Sequence, residues 1–226
     1  MKLYEEEVDL KKIKQKDLYR ICLYPVQPPS CLLKWREIFQ WEEMTLEDLF
    51  KEKRHFMYNR KSYDFHWKVL HREIFCETKL KKMKKSNGIC KLCNQYEEDI
   101  AHLIQLCPVI ENVWAMIETY LMNTVALDIR LNTRRIILGV TTNECNESVN
   151  IKIFINFIIL MTKWSIWKHR NDIKYGKQQT KNSDNIYSII MKMCQKEIKA
   201  VSESFNYAKC KQELKIYMLD LLEENF

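Results

Sequence analysis

The chain has 226 residues, 46% of them hydrophobic and 30% charged, which is enough apolar material for a packed core in one large or two small domains. Three glycines and four prolines are too few for an all-β protein, which needs a turn signal about every ten residues, so a mainly α fold is expected. The net charge of +7 favours an anionic partner.

The amino-terminal string MKLYEEEVDLKKIKQK lacks the apolar stretch of a secretory signal. The apolar run from Ile153 to Met161 contains Asn156 and is about half the length that spans a bilayer, so it reads as a buried core helix. An intracellular protein with no membrane partner is expected, nucleus and cytoplasm being left open. Reducing conditions there argue against a disulfide framework for the nine cysteines. Cys22, Cys31, Cys76, Cys145, Cys194 and Cys210 stand alone and read as packed or inert thiols. Cys90, Cys93 and Cys107 are spaced for chemistry.

In chain order, residues 1–64 form an amino-terminal adaptor region. Its acidic and basic side chains nearly cancel, and after the prolines from Pro25 to Pro29 a helix opens near Thr45, which with Asp48 resembles a capping box. Residues 65–122 are expected to form a second domain, built around Cys90, Cys93 and Cys107. Between Phe65 and Phe75 the side chains of Trp67, Leu70, His71 and Ile74 recur at helical spacing. Thr78 is placed to cap a short helix through Met83, and Asn87-Gly88 makes a turn. After Pro108 an amphipathic helix follows, with Ile110, Val113, Trp114, Ile117 and Leu121 on one face and Glu111 and Glu118 off it. Residues 123–226 form a carboxy-terminal helical region: a buried helix from Ile151 to Arg170, then one or two more in the stretch from Gln178 to Leu222, which has neither glycine nor proline.

The string ICKLCNQYEEDIAHLIQLC holds Cys90, Cys93, His102 and Cys107. Two cysteines separated by two residues can wrap a turn around one metal, and His102 and Cys107, five apart on a helix starting near Asp99, share a face if the helix is slightly unwound. Three thiolates and an imidazole close a tetrahedral zinc shell with no position left for water, so one structural Zn2+ is expected, in a small CCHC knuckle embedded in the helical domain. Ile89, Leu92, Ile100, Leu103 and Leu106 would cap it.

The segment resembles the zinc-binding region in the carboxy-terminal part of LINE-type (non-LTR) retrotransposon reverse transcriptases. The residues that carry the likeness are Trp67 with Lys68, His71, Thr78 with Leu80, the cysteine pair, Glu98, His102 with Leu103, Cys107 with Pro108, and Trp114. Further on, Ile166, Trp167, Lys168, Arg170 and Asn171 look like the family's tryptophan-lysine-x-arginine-asparagine helix, so the likeness spans roughly residues 35 to 175. Cys76 and Glu77 stand where the family often has proline. No tyrosine- or phenylalanine-alanine-aspartate-aspartate motif occurs, so the chain is expected to lack polymerase and endonuclease activity and to be no enzyme.

Positive charge gathers in two segments. Between residues 66 and 91 eight basic side chains face two acidic ones, and between 163 and 181 six face one. Lys79, Lys81, Lys82, Lys84 and Lys85 would lie beside the knuckle, with Lys81, Lys84 and Lys85 on one helical face, as a phosphate-binding surface requires. In the second segment Trp164 and Trp167 continue an apolar stripe and read as core, leaving Lys168 and Arg170 as candidate contacts. His71 and His169 read as packed. The resemblance implies a non-catalytic module that binds template RNA or target DNA with weak sequence preference, next to a reverse transcriptase domain and without a small-molecule substrate. A zinc-stapled protein-interaction module, or a decayed open reading frame beginning in mid-architecture at Met1, are the other readings.

Overall fold

The computed structural model describes residues 2–3, 6–7, 30–45, 59–125, 130–140, 149–179, 182–203 and 212–223. The prolines from Pro25 to Pro29, the helix expected after Thr45, and Cys22, Cys145 and Cys210 lie outside them. The described residues are mainly helical, as the composition required. The chain divides into two compact units, residues 1–44 and 45–226.

The first unit contains two paired two-residue strands, β1 (Lys2–Leu3) and β2 (Glu6–Glu7), antiparallel with Lys2 opposite Glu7. Its helix α1 (Ser30–Phe39) buries Cys31, Leu32 and Trp35, and Trp35 stacks on Phe39 at 5.2 Å between ring centroids. Arg36 folds the following turn back by donating from Nε to the Met44 carbonyl at 2.7 Å.

The second unit is built around one long helix. In chain order it has α2 (Arg60–Leu70), α3 (Glu77–Lys82), a π-helical turn (His102–Leu106), α4 (Pro108–Val125), α5 (Thr133–Leu138), α6 (Val149–Lys174), α7 (Ser183–Ser202) and α8 (Gln212–Glu223). Among the described residues α6 alone is long and apolar enough to cross a bilayer, but 78% of that apolar window is buried inside the unit. It is a core helix because its neighbours cover it: α2, α7, α8 and the π turn all pack on it, and α7 also packs on α4. The expected faces of α4 are observed, with Ile110, Val113, Trp114, Ile117 and Leu121 all buried. Among its described residues, the stretch expected to hold one or two further helices holds α7 and α8.

The expected stripe on α2 is displaced. The buried face comprises Ser62, Phe65, His66, Val69 and Leu70, whereas Trp67 is 46% exposed and the helix stops before His71 and Ile74. Two of the inward residues are polar, which is why an apolar count chose the wrong face. Ser62 Oγ donates to the Asn59 carbonyl at 3.0 Å, and Lys163 Nζ, 1% exposed, meets His66 Nδ1 and the Ile137 carbonyl, each at 3.1 Å. Asn156, the polar residue in the apolar run, is equally committed: its side chain accepts from Val140 N at 2.7 Å and donates to Val140 O at 3.0 Å.

With so few glycines, several helix ends are closed by other residues. Helix α5 stops at Gly139 (φ 89°), whereas at the ends of α1, α2, α3 and α6 the left-handed residue is Gln40 (φ 51°), Arg72 (φ 58°), Lys84 (φ 57°) or Gly176 (φ 69°). At each of these left-handed ends the next amide bonds five residues back, as with Glu73 N to Lys68 O at 2.7 Å and Lys85 N to Leu80 O at 2.9 Å, which is the Schellman closure.

Candidate metal centre

The segment that carries the four candidate ligands is a short hairpin followed by a helical turn. Ile89 and Glu97 pair as an antiparallel bridge, flanked by Cys90 N to Tyr96 O at 2.8 Å and Glu98 N to Gly88 O at 2.9 Å. Gly88 sits at φ +89°, a conformation that demands glycine, and the Lys81 side chain lies against it. Within the hairpin the Cys90 carbonyl accepts from Asn94 N at 3.0 Å, and the Cys90 sulfur accepts from Leu92 N at 3.3 Å. Backbone amides pointed at a sulfur stabilise it as a thiolate.

The other two ligand candidates stand on the helical turn. Asp99 opens it, its carboxylate accepting from His102 N at 2.7 Å. Cys107 N then donates to His102 O at 2.9 Å across five residues, a π-type bond. This is the unwinding that the five-residue spacing called for. Pro108 follows as the first residue of α4, where its missing N–H costs nothing, and Cys107 is extended, as a residue before proline prefers. The Ile104 carbonyl of the π turn accepts from Trp114 Nε1 at 2.7 Å.

The ligand atoms of Cys90, Cys93, His102 and Cys107 all lie within 4.8 Å of one another. Cys90 Sγ is 4.0 Å from Cys107 Sγ, and Cys93 Sγ is 3.5 Å from His102 Nε2. Tetrahedral coordination with Zn–S near 2.3 Å places neighbouring ligand atoms roughly 3.5–3.8 Å apart, so the four groups fit one zinc-sized ion. Cys90 and Cys107 are fully buried and His102 is 8% exposed. Leu92, Ile100 and Leu103 cap the cluster as expected, but Ile89 is only half-buried and Leu106, on the outer side of the π turn, is 49% exposed. The hydrogen bond with Cys107, then burial, pushes the Cys90 thiol up to about 12. The hydrogen bond that His102 donates to Cys90, against the effect of burial, raises His102 to about 9. A divalent cation would relieve both by displacing protons.

Beside the cluster lies a buried ionic network that the sequence did not announce. Glu98 accepts from Arg170 Nε at 3.0 Å and from its Nη2, and Glu77 accepts from Arg170 Nη2 and Lys174 Nζ, each at 2.6 Å. Side chains of Glu77 and Glu98 are fully buried and that of Arg170 is 1% exposed. Burial pushes Glu77 up, but hydrogen bonds from Lys174 and Ser86 and the nearby charges of Arg170 and Lys174 outweigh it and hold the carboxyl below its ordinary value. Two carboxylates thus balance two cations, and the network ties α3 and the zinc hairpin to α6.

Three expectations are corrected here. Arg170 is no surface contact, because its guanidinium is buried against Glu77 and Glu98 and over the Trp167 ring at 5.3 Å. Thr78 is not the cap of α3; Cys76 is, without a side-chain bond, and Glu98 serves the helix start by accepting from Glu77 N at 2.9 Å and, through its carbonyl, from Thr78 N at 3.0 Å. Lys81, Lys84 and Lys85 do not share a helical face, because α3 ends at Lys82 and Lys84 turns left-handed.

The other expected contacts stay at the surface with differing commitments. Lys79 pairs with Glu73 at 2.6 Å and lies over Phe75, and Lys81 pairs with Glu97. Lys82, Lys84 and Lys85 are exposed with no ion pair recorded among the described residues, and exposed Lys168 lies near Met193 Sδ at 3.9 Å. Trp164 and Trp167 are half-buried against Phe65, at 5.5 and 5.7 Å between centroids. His169 is buried and His71 packs on Trp67.

No curated protein and no solved structure matches the chain. Residues 37–114, from within α1 to the tryptophan that closes the π turn, match the family described as zinc-binding in reverse transcriptase.

Proposed function

We propose that the chain is a non-catalytic, zinc-stapled module that binds RNA or DNA, derived from a LINE-type retrotransposon reverse transcriptase. The observation that carries it is the placement of Lys82, Lys84 and Lys85, exposed and without ion pairs among the described residues, directly before a knuckle that matches a reverse-transcriptase zinc-binding family. Zinc holds the hairpin and π turn, the hairpin positions Glu98, and Glu98 accepts from the first amides of α3, at whose other end these lysines lie.

The test is binding to RNA and DNA oligonucleotides across a salt series, with zinc measured on the same protein. One zinc per chain is expected, lost in the Cys90→Ser, Cys93→Ser double variant. Three phosphate contacts give a slope of log affinity against log salt of roughly −2 to −3. Replacing Lys82, Lys84 and Lys85 by glutamine should remove most of that slope at unchanged zinc content, since exposed lysines contribute little to folding. Unaltered binding by the triple variant would make the lysines a solubilising surface and favour a protein-interaction role.

A further inference from the structure

A second basic feature lies on the α2–α6 side of the same unit, away from the lysines of the α3 end. A groove of about 400 Å³ runs between these helices, lined by Phe65, Phe75, Trp164 and Trp167 and by the side chains of Lys61 and Lys68. Its volume falls in the range of pockets that hold a small planar molecule, ~300–1,000 Å³. The aromatic residues have different standing. Phe65 is 4% exposed, and Trp167 has Phe65 stacked on it and the Arg170 guanidinium over its ring, so these two are fixed walls. Phe75 is 50% exposed and Trp164 half-buried, so they are the rings with surface left to offer.

The charges at the rim are also sorted. Asp64 is paired with Arg60 at 3.8 Å and Glu73 with Lys79 at 2.6 Å, whereas Lys61 and Lys68 are exposed and carry no ion pair among the described residues. The acidic side chains of the groove are therefore neutralised by cations outside it, and the lysines are left to meet an anion. Lys79, itself on α3, reaches over Phe75, 5.2 Å from the ring centroid.

We propose that this groove takes an unpaired base of a single-stranded nucleic acid, stacked against Phe75 and Trp164, with Lys61 and Lys68 on the flanking phosphates. A flat π face with lysines on either side recognises single strands without regard to sequence, because every base has a π face and only a strand free of pairing can insert one. A duplex keeps its bases stacked and could engage the lysines alone. The inference rests on the nucleic-acid reading above and adds to it a preference for single strands and the residues responsible.

The experiment uses the full zinc-loaded chain with a labelled single-stranded oligouridylate and oligothymidylate and a DNA duplex of equal length. Phe75→Ala is the first variant, because an exposed ring can be removed with little effect on folding, and Phe75→Trp is the restoring one. Far-ultraviolet dichroism and zinc content establish that both are folded. Phe75→Ala should weaken binding of both single strands by roughly 5- to 150-fold and leave duplex binding unchanged, with Phe75→Trp near the parent. Lys61→Gln with Lys68→Gln should shallow the single-strand salt slope by roughly 1.4. If Phe75→Ala binds single strands like the parent while the Lys82, Lys84, Lys85 variant is impaired, the groove inference fails and the function proposed above stands. If the parent binds no nucleic acid at all, both fail. A dimer in sedimentation that Phe75→Ala abolishes would assign the groove to a second copy of the chain and overturn the inference.

Discussion

Arg170 shows how the same residue can be legible in kind and misread in role. A cation beside tryptophan and lysine reads as a nucleic-acid contact, yet its partners are Glu98 and Glu77, 72 and 93 residues away in sequence. No local pattern in either segment announces the other, so the network was invisible until the fold brought α6 against the hairpin. The resemblance did carry a trace of it, since Glu98, Arg170 and Asn171 all belong to its pattern, and Asn171 Oδ1 accepts from Arg170 Nη1 at 2.9 Å. The consequence is a stability cost for losing the cation. Arg170→Gln leaves two buried carboxylates facing one lysine, and breaking a buried pair from one side costs about 3–5 kcal/mol. Against a total that for ordinary domains is about 5–15 kcal/mol, that is a large fraction. The urea midpoint of the variant should fall accordingly, and a midpoint within error of the parent's would mean that the network contributes no net stability.

At the scale of elements, helices whose inner face is apolar were readable and those with polar residues inside were not. The face of α4 follows from Ile110, Val113, Trp114, Ile117 and Leu121, all buried as the 3.6-residue period requires. The face of α2 was misjudged because His66 points inward to Lys163 of α6, a contact 97 residues apart. The π turn was readable from ligand spacing, because two ligands five apart cannot otherwise share a face. Helix starts at Asn59, Asn132 and Asn182, each accepting from the amide three residues on, could have been found from asparagine's preference for that position. The buried His66 makes α2 sensitive to acid. Burial first, and the charge of Lys163 second, hold its pKa well below the ordinary 6.5. A depressed folded-state value means that the stability from a neutral His66 is present above pH 6.5 and is lost as the pH falls, because the unfolded chain takes up the proton more readily. The urea midpoint should therefore fall on acidification below pH 6.5 by more in the parent than in His66→Leu. Parallel pH profiles for the two proteins would show that His66 is protonated in the fold or linked to nothing.

For the molecule as a whole the question is how far loss of the metal propagates. The hairpin and π turn bury only a few apolar side chains of their own, chiefly Leu92, Ile100, Leu103 and Ile104, too little to fold unaided, whereas α4, α6 and α7 pack on one another. Chelation should therefore remove hydrogen-exchange protection from residues 88–107 and, through the bonds of Glu98 to the first amides of α3, from 77–82, while α4, α6 and α7 keep theirs. The size of the effect should depend on pH in a direction fixed by the ligands themselves. Zinc binds thiolates and neutral imidazole and so competes with protons less as the pH rises. The difference in urea midpoint with and without chelator should therefore grow between pH 6 and pH 9. A difference that is constant, or that shrinks, over that range would mean that Cys90, Cys93, His102 and Cys107 do not hold the ion on which the fold depends.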